Sequence, residues 1–147
     1  MINILLEYCK NKNINNYIFN ITDINKLTNL LQNPLILTIH EIDTLIYILN
    51  NYNFDIKSKE ILKLYTTKSY YFIKNNIKYD KTLLINAYDL IRKNKDGRIS
   101  YDDIKYLIKL SYDKNIITSI EKNTLNYIIQ NYNLTNKAKE YLISIDF

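Results

Sequence analysis

Residues that break helices are scarce in this chain. It has one glycine, Gly97, and one proline, Pro34, among 147 residues. A fold made of many short β-strands needs tight turns far more often than this, and tight turns draw on glycine and proline. The scarcity argues against a β-sandwich or barrel and predicts a mostly helical protein.

Cysteine and histidine each occur once, as Cys9 and His40, and tryptophan is absent. A single cysteine cannot form an internal disulfide, which suits a reducing compartment. One histidine excludes a histidine-based metal cluster, and one glycine excludes a glycine-rich phosphate loop. The sequence shows no recognisable set of catalytic residues, so we expect that the protein is not an enzyme.

Long apolar runs are missing as well. Glu7 interrupts the N-terminal apolar run before it reaches the length of a signal-peptide core, and the uncharged stretch 27–39 is far shorter than a membrane span. We therefore expect a soluble, intracellular, cytoplasmic protein with no membrane partner. The excess of Ile, Asn, Lys and Tyr is typical of a very AT-rich genome. A protist, an intracellular parasite or bacterium, or a large DNA virus would have one, and a viral protein would act in the host cytoplasm or the virion.

What the chain does contain is an internal repeat. Residues 23–62 and 103–142, which lie 80 positions apart, are identical at 18 of 40 positions without a gap. We call this separation of 80 positions the repeat offset. A match of this strength indicates two copies of one structural unit.

Apolar periodicity predicts four helices in each copy. A Thr-x-x-Glu capping box opens the third helix of both copies, at Thr38 and Thr118, and apolar residues then recur every three or four positions. The asparagines that flank Tyr52 and Tyr132 are typical of helix ends. The predicted helices lie near residues 2–11, 22–32, 39–52, 55–75, 81–92, 101–113, 119–132 and 135–145.

The predicted fold is therefore all-α and internally duplicated, with about eight helices. The first unit covers residues 1–65 and the second covers residues 81–147. A connecting helical segment, 66–80, joins them. A Bcl-2-like helical bundle of similar size, to which Gly97-Arg98 bears a faint likeness, is an alternative that the repeat disfavours, because that bundle is not built from a duplicated unit.

One loop of the second copy, residues 92–103, resembles the calcium loop of an EF-hand. In that family, oxygen ligands fall at loop positions 1, 3, 5, 7, 9 and 12, and a glycine at position 6 makes a sharp turn. Gly97 stands at position 6, and Ile99 stands at position 8, where an apolar residue pairs with a partner loop. The resemblance implies metal ligands at Asn94, Asp96, Ser100 and Asp103.

Two positions of this loop depart from the family's pattern. Position 1 is Arg92 instead of an aspartate, and position 12 is Asp103 instead of the longer glutamate. Cations at Arg92, Lys93 and Lys95 oppose the binding of a divalent ion. The resemblance thus implies a calmodulin-type arrangement of helices with degenerate, metal-free loops and no cofactor, and weak calcium binding is the alternative.

The net charge of +5 is unevenly distributed. Residues 66–81 hold four lysines and one acid, and aromatic residues lie among these lysines as they do in proteins that bind single-stranded nucleic acid. More cations follow near the 92–103 loop. A patch for an anionic partner is therefore predicted at Lys74, Lys78, Lys81, Arg92, Lys93, Lys95 and Arg98.

We interpret the chain as a non-enzymatic protein-interaction or scaffold module built on a degenerate EF-hand-like duplication. Helix pairs of this type can present a groove to a partner helix, so the expected partner is another protein or a second copy. The alternatives are a basic nucleic-acid-binding protein and a weakly calcium-responsive protein.

Overall fold

The computed structural model describes residues 2–31, 33–34, 36–112 and 116–145. The chain divides into two compact units, Met1–Lys68 and Ser69–Phe147. Eight α-helices and four short strands lie in the described residues. The protein is therefore mostly helical, and the prediction of an all-α fold holds only in part.

The first unit contains four helices and one pair of very short strands. Its elements in chain order are α1 (Ile2–Lys12), β1 (Ile18–Phe19), α2 (Ile21–Asn29), α3 (Ile39–Asn51), β2 (Asn53–Phe54) and α4 (Ile56–Thr66). The connector before α2 and the connector before α4 meet through β1 and β2, which pair in parallel. This pairing brings the starts of α2 and α4 together.

Side-chain caps determine where these helices begin. The Asn20 side chain accepts the N–H of Asp23, and the carboxylate of Asp23 accepts the N–H of Asn20 at 3.0 Å, which forms a capping box. Thr38 and Glu41 form a second box at α3, where the N–H of Thr38 donates to the Glu41 carboxylate at 2.8 Å. The capping box predicted at Thr38 is thus confirmed.

Phe19 is the centre of the first unit's core. Its side chain is fully buried, and its ring centroid lies 5.2 Å from that of Tyr17, 5.6 Å from Tyr52 and 5.2 Å from Phe54. Buried aromatic contacts of this kind stabilise a core beyond the area that they remove from water. The connectors therefore belong to the core.

The second unit adds a β-hairpin to four helices. Its elements are β3 (Tyr71–Lys74), β4 (Ile77–Asp80), α5 (Lys81–Lys93), α6 (Tyr101–Ser111), α7 (Ser119–Asn131) and α8 (Asn136–Ser144). Ile99 and Leu134 form a parallel bridge between the two connectors, in which Thr135 N–H donates to the Ile99 carbonyl oxygen at 3.0 Å. Ile99, the apolar residue at loop position 8, is buried there.

The caps of the second unit follow those of the first at the repeat offset. Ser100 and Asp103 form a capping box at α6, and Thr118 and Glu121 form another at α7. Thr135 accepts the N–H of Ala138 at α8, as Asp55 accepts the N–H of Ser58 at α4. The capping box predicted at Thr118 is confirmed.

The predicted helical connector, 66–80, is wrong. Helix α4 ends at Thr66, and residues 71–80 form an antiparallel hairpin instead. Asn75 and Asn76 occupy its two-residue turn with φ of 51° and 63°, and two successive positive φ angles are what a type I′ hairpin turn requires. The preceding Tyr71, Phe72 and Ile73 favour strands, and the packing of Tyr79 on β4 against Tyr127 outweighs the helical pattern.

The other predicted helices agree with the observed ones to within three residues at each end. The predicted ends at Gln32 and Asp113 lie outside the described residues. Among the described helices, none has the length and the apolar character that crossing a membrane requires.

The hairpin turn gives a test with two matched asparagines. Asn76→Ala should lower the free energy of unfolding by about 1 kcal/mol, because alanine tolerates a positive φ less well than asparagine. Asn123→Ala, at an exposed position inside α7, should raise it by roughly 0.5 kcal/mol through better helix propensity. Urea denaturation measures both. If both substitutions shifted the free energy of unfolding in the same direction, the observed turn would be contradicted.

Candidate functional site

Three of the four predicted metal ligands share one hydrogen-bond network at the start of α6. Asp103 Oδ2 accepts three hydrogen bonds: from the Ser100 N–H at 2.8 Å, from the Ser100 hydroxyl at 2.7 Å and from Asn94 Nδ2 at 2.9 Å. Asn94 Nδ2 also donates to the Arg98 carbonyl oxygen at 2.6 Å. Partial burial raises the pKa of Asp103, but these bonds outweigh it and hold the pKa below its ordinary value. The carboxylate is thus used as a helix cap.

The fourth predicted ligand, Asp96, lies outside this network. Its Oδ1 accepts the N–H of Arg98 at 3.0 Å, and its Oδ2 pairs with the Arg98 Nε at 3.0 Å. The backbone bond, with the side-chain bond after it, lowers the pKa of Asp96. Gly97 stands between them with φ of 64°, the sharp turn that the EF-hand resemblance implies.

This set of donors does not fit a calcium ion. Calcium takes six to eight oxygen ligands, several of them charged. Here a nitrogen donor, Asn94 Nδ2, faces the Asp103 carboxylate, and Arg92 at loop position 1 pairs with Asp89 at 2.9 Å. Across residues 2–31, 33–34, 36–112 and 116–145, no three His, Cys, Asp or Glu side chains are grouped so that they could hold a metal.

In the first unit a lysine stands at loop position 1 and binds the aspartate at position 12. The Asp23 side chain is fully buried, and its Oδ1 accepts Lys12 Nζ at 2.6 Å and the Tyr8 hydroxyl at 2.7 Å. Its Oδ2 accepts the Tyr17 hydroxyl at 2.9 Å and the N–H of Asn20 at 3.0 Å. The chain therefore supplies its own cation to this carboxylate.

The charges in this cluster stabilise one another. Burial raises the pKa of Asp23, but the bonds from Lys12 and Tyr8 outweigh it and bring the pKa to about 2. Burial and the bond to Asp23 raise the pKa of Tyr8 to about 12. Lys12 also lies 4.8 Å from the centroid of the Tyr17 ring. Motif and spacing did not predict this cluster, although the opposite charges of Lys12 and Asp23 at the two ends of the connector were a usable signal.

The predicted anionic-partner patch is divided between the two ends of α5. Lys74 and Lys78 lie on the hairpin, and Lys81 is the first residue of α5. The other four cations lie in the last turn of α5 and the loop after it, about 18 Å away at ~1.5 Å of rise per residue. They are Arg92, Lys93, Lys95 and Arg98.

The two halves of this patch differ in their surroundings. Arg92 and Lys93 contact Asp89 at 2.9 and 3.5 Å, and Arg98 is paired with Asp96, so acids offset much of the charge near the loop. At the hairpin, the lysines contact aromatic rings. Lys78 Nζ lies 5.7 Å from the Tyr71 ring centroid, and Lys74 Nζ lies 5.5 Å from that of Tyr127. Burial lowers the pKa of Lys81.

The hairpin has an inner face that packs on α7. Tyr79 is buried, with its ring centroid 4.9 Å from that of Tyr127, and the N–H of Asp80 donates to the Thr124 hydroxyl at 2.7 Å. These contacts fix the position of the hairpin on its unit.

The outer face of the hairpin is aromatic and exposed. Tyr71 and Ile73 stand on one face of β3, opposite to Phe72 and Lys74, and are 40% and 59% exposed. Lys78 lies opposite Ile73 on β4. We name Tyr71, Ile73 and Lys78 the outer hairpin face.

Comparison with known proteins adds no family to these observations. No family model, curated protein or solved structure matches the chain. The EF-hand resemblance therefore stays a prediction that rests on the 92–103 loop and on the order of the helices.

The Lys12–Asp23 pair leads to a pH-dependent prediction. Lys12→Met should lower the melting temperature at pH 7 by roughly 5 °C, because the buried Asp23 carboxylate loses its cation. In the wild type, the pKa of Asp23 is about 2, below its ordinary value near 4. Its stabilisation is therefore complete above pH 4 and is lost as the pH falls through 2.

Calorimetry between pH 7 and pH 2 should thus show the wild type and Lys12→Met converging in acid. Lys10→Met, at an exposed position on the same helix, is the matched control and should follow the wild type throughout. A constant difference between Lys12→Met and the wild type from pH 7 to pH 2 would show that the pair does not stabilise the unit.

Proposed function

We propose that the chain is a non-enzymatic protein-interaction module built from two copies of one helical unit. The outer hairpin face carries this proposal. Its apolar side chains, Tyr71 and Ile73, are neighbours on one face of β3 and expose 40% and 59% of their surfaces. Exposed apolar side chains that are grouped in this way are typical of a surface that binds another protein.

The anchoring of the hairpin supports this proposal. Tyr79 is buried against Tyr127, and the Asp80 N–H is bonded to Thr124, so the outer face is held on an ordered element. A surface that is ordered before binding loses less conformational entropy when a partner binds. The proposed partner is therefore another folded protein or a second copy of this chain.

The correspondence between the units supports the duplication. Helices α3 and α7 have the same length and begin at the repeat offset from one another, each after a Thr-x-x-Glu capping box. Phe19 with Phe54, and Ile99 with Leu134, form parallel bridges at the same offset. Two copies of one ancestral unit account for all of these matches.

The state of the single thiol supports a non-enzymatic role inside the cell. Cys9 is buried, and burial raises the pKa of its thiol to about 12. Burial therefore disfavours the thiolate, which is the form that a nucleophile needs. A lone buried thiol also suits a reducing compartment such as the cytoplasm.

The outer hairpin face gives a direct test of this proposal. The double variant Tyr71→Ser/Ile73→Ser should recover its protein partners from native material at least about 10-fold less efficiently than the wild type, because apolar anchors dominate such interfaces. Tyr112→Ser/Ile143→Ser removes exposed apolar side chains elsewhere in the same unit and is the matched control.

Quantitative mass spectrometry of the bound proteins measures the difference, and unchanged circular dichroism shows that both variants fold. Equal recovery of the same proteins by both variants would contradict an interaction through the outer hairpin face.

A second candidate function is the binding of single-stranded nucleic acid through the same face. The favouring observation is the position of the Lys78 ammonium over the Tyr71 ring. Tyrosine rings can stack on bases of any sequence while lysines contact the phosphates.

A fluorescent 20-nucleotide dT strand tests this second candidate. If it holds, Tyr71→Ala should weaken binding roughly 10-fold, since one base–aromatic stack contributes about 1–3 kcal/mol. The association constant should also fall as the salt concentration rises. A plot of its logarithm against the logarithm of the salt concentration should have a slope of about −2, which corresponds to three phosphate contacts. Tyr112→Ala is the control. Absence of anisotropy change for the wild type at low salt would exclude this function.

A further inference from the structure

An open groove of about 320 Å³ lies on the first unit. Helix α1 contributes apolar side chains to it, and α3 contributes polar ones and a tyrosine. The lining residues are Ile2, Leu6, His40, Asp43, Thr44 and Tyr47.

Two of these lining residues recur in the second unit, where they are covered. Thr124 and Tyr127 correspond to Thr44 and Tyr47 at the repeat offset. The hairpin lies on them, since the Asp80 N–H donates to Thr124 Oγ1 at 2.7 Å and Tyr79 packs on the Tyr127 ring. Thr124 is consequently 0% exposed.

In the first unit no described residue covers the same two side chains in this way. The Thr44 hydroxyl donates to the His40 carbonyl oxygen at 2.7 Å, as Thr124 does to Ile120, but among the described residues no N–H donates to it. Thr44 is 8% exposed, and Tyr47 is 51% exposed. The groove therefore offers a free acceptor and a free ring face where the second unit uses both.

The charge at the groove indicates what kind of segment would fit. In the second unit, Lys74 Nζ lies 3.5 Å from the Tyr127 hydroxyl and 5.5 Å from its ring centroid. The first unit has Asp43 one turn before Tyr47, whereas the second has the neutral Asn123 at the corresponding place. A lysine over Tyr47 would therefore gain a nearby carboxylate.

Asp43 is available for such a contact. Its side chain is 57% exposed, and its 3.5 Å contact with Lys68, which is itself 64% exposed, is a surface ion pair of small net energy. A lysine of a bound segment can compete with that contact at little cost.

We propose that this groove binds a β-hairpin of a partner protein whose one face carries an aromatic residue and a lysine. The aromatic ring packs on Tyr47, a backbone N–H of the hairpin donates to Thr44 Oγ1, and the lysine lies between Tyr47 and Asp43. The chain's own hairpin, bound to the second unit, is the template for this arrangement. None of the lining residues belongs to the outer hairpin face, so this proposal does not depend on the function proposed for that face.

A peptide with the sequence of residues 69–80, SYYFIKNNIKYD, closed head to tail and labelled with fluorescein, is the probe. Its anisotropy should rise to saturation with the full chain. Tyr47→Ala should weaken binding at least about 10-fold, because it removes the central aromatic contact. Thr44→Val keeps the side-chain shape, removes the acceptor and should weaken binding roughly 5-fold. Asp43→Asn should weaken it at low salt and much less at high salt.

Three controls establish whether the groove itself binds the probe. Tyr106→Ala, at a similarly exposed tyrosine of the second unit, should bind the probe like the wild type, and a probe carrying Tyr79→Ala should bind weakly. The protein variant Tyr71→Ser/Ile73→Ser should also bind the probe normally, which distinguishes the groove from the outer hairpin face.

The proposal is overturned if the probe does not bind the wild type at about 1 mM, or if Tyr47→Ala binds it as tightly as the wild type does. Sedimentation of the chain alone provides a further outcome. A dimer that Tyr47→Ala dissociates would assign the groove to a second copy and would overturn the assignment to a partner protein.

Discussion

The backbone pairing between the two connectors of each unit is the contact on which the other features depend. Even the longest described helices, α3, α5 and α7, are of a length at which isolated helices are marginal in water. In the first unit Phe19 pairs with Phe54, and in the second Ile99 pairs with Leu134. Each of these pairing residues lies directly before a helix N-cap residue, so one parallel bridge holds two helix starts. Phe19, Ile99 and Leu134 are buried there. The helices then pack around that point.

The two carboxylates that stand at loop position 12, Asp23 and Asp103, form hydrogen bonds within the fold. Asp23 is bonded to Lys12 and two tyrosines, and Asp103 caps α6 while it accepts a bond from Asn94. A carboxylate that is satisfied in this way has little capacity left for an external cation. Binding functions are therefore better served by the surfaces on which the units differ, which are the hairpin of the second unit and the groove of the first.

Local patterns predicted most of the helices, because their starts depend on residues close in sequence. The Thr38 and Thr118 capping boxes are examples, since in each box the cap and its glutamate partner stand within one helical turn of each other. The hairpin was missed because Asn75-Asn76 suits the end of a helix as well as a type I′ turn. The contact between Tyr79 and Tyr127, which lies far along the chain, favours the turn. The bonding partners of the candidate metal ligands Asn94, Asp96, Ser100 and Asp103 were not predictable from spacing.

The sequence by itself determined that the protein is mostly helical, that its helices start at repeated caps and that related segments recur at the repeat offset. These properties follow from composition, periodicity and short-range hydrogen bonds. The tertiary structure decided the hairpin, the partners of Asp23 and Asp103, and the unequal exposure of Tyr47 and Tyr127. Two identical side chains differ in their surroundings because a distant segment covers one of them, and contacts of that kind exist only once the chain has folded.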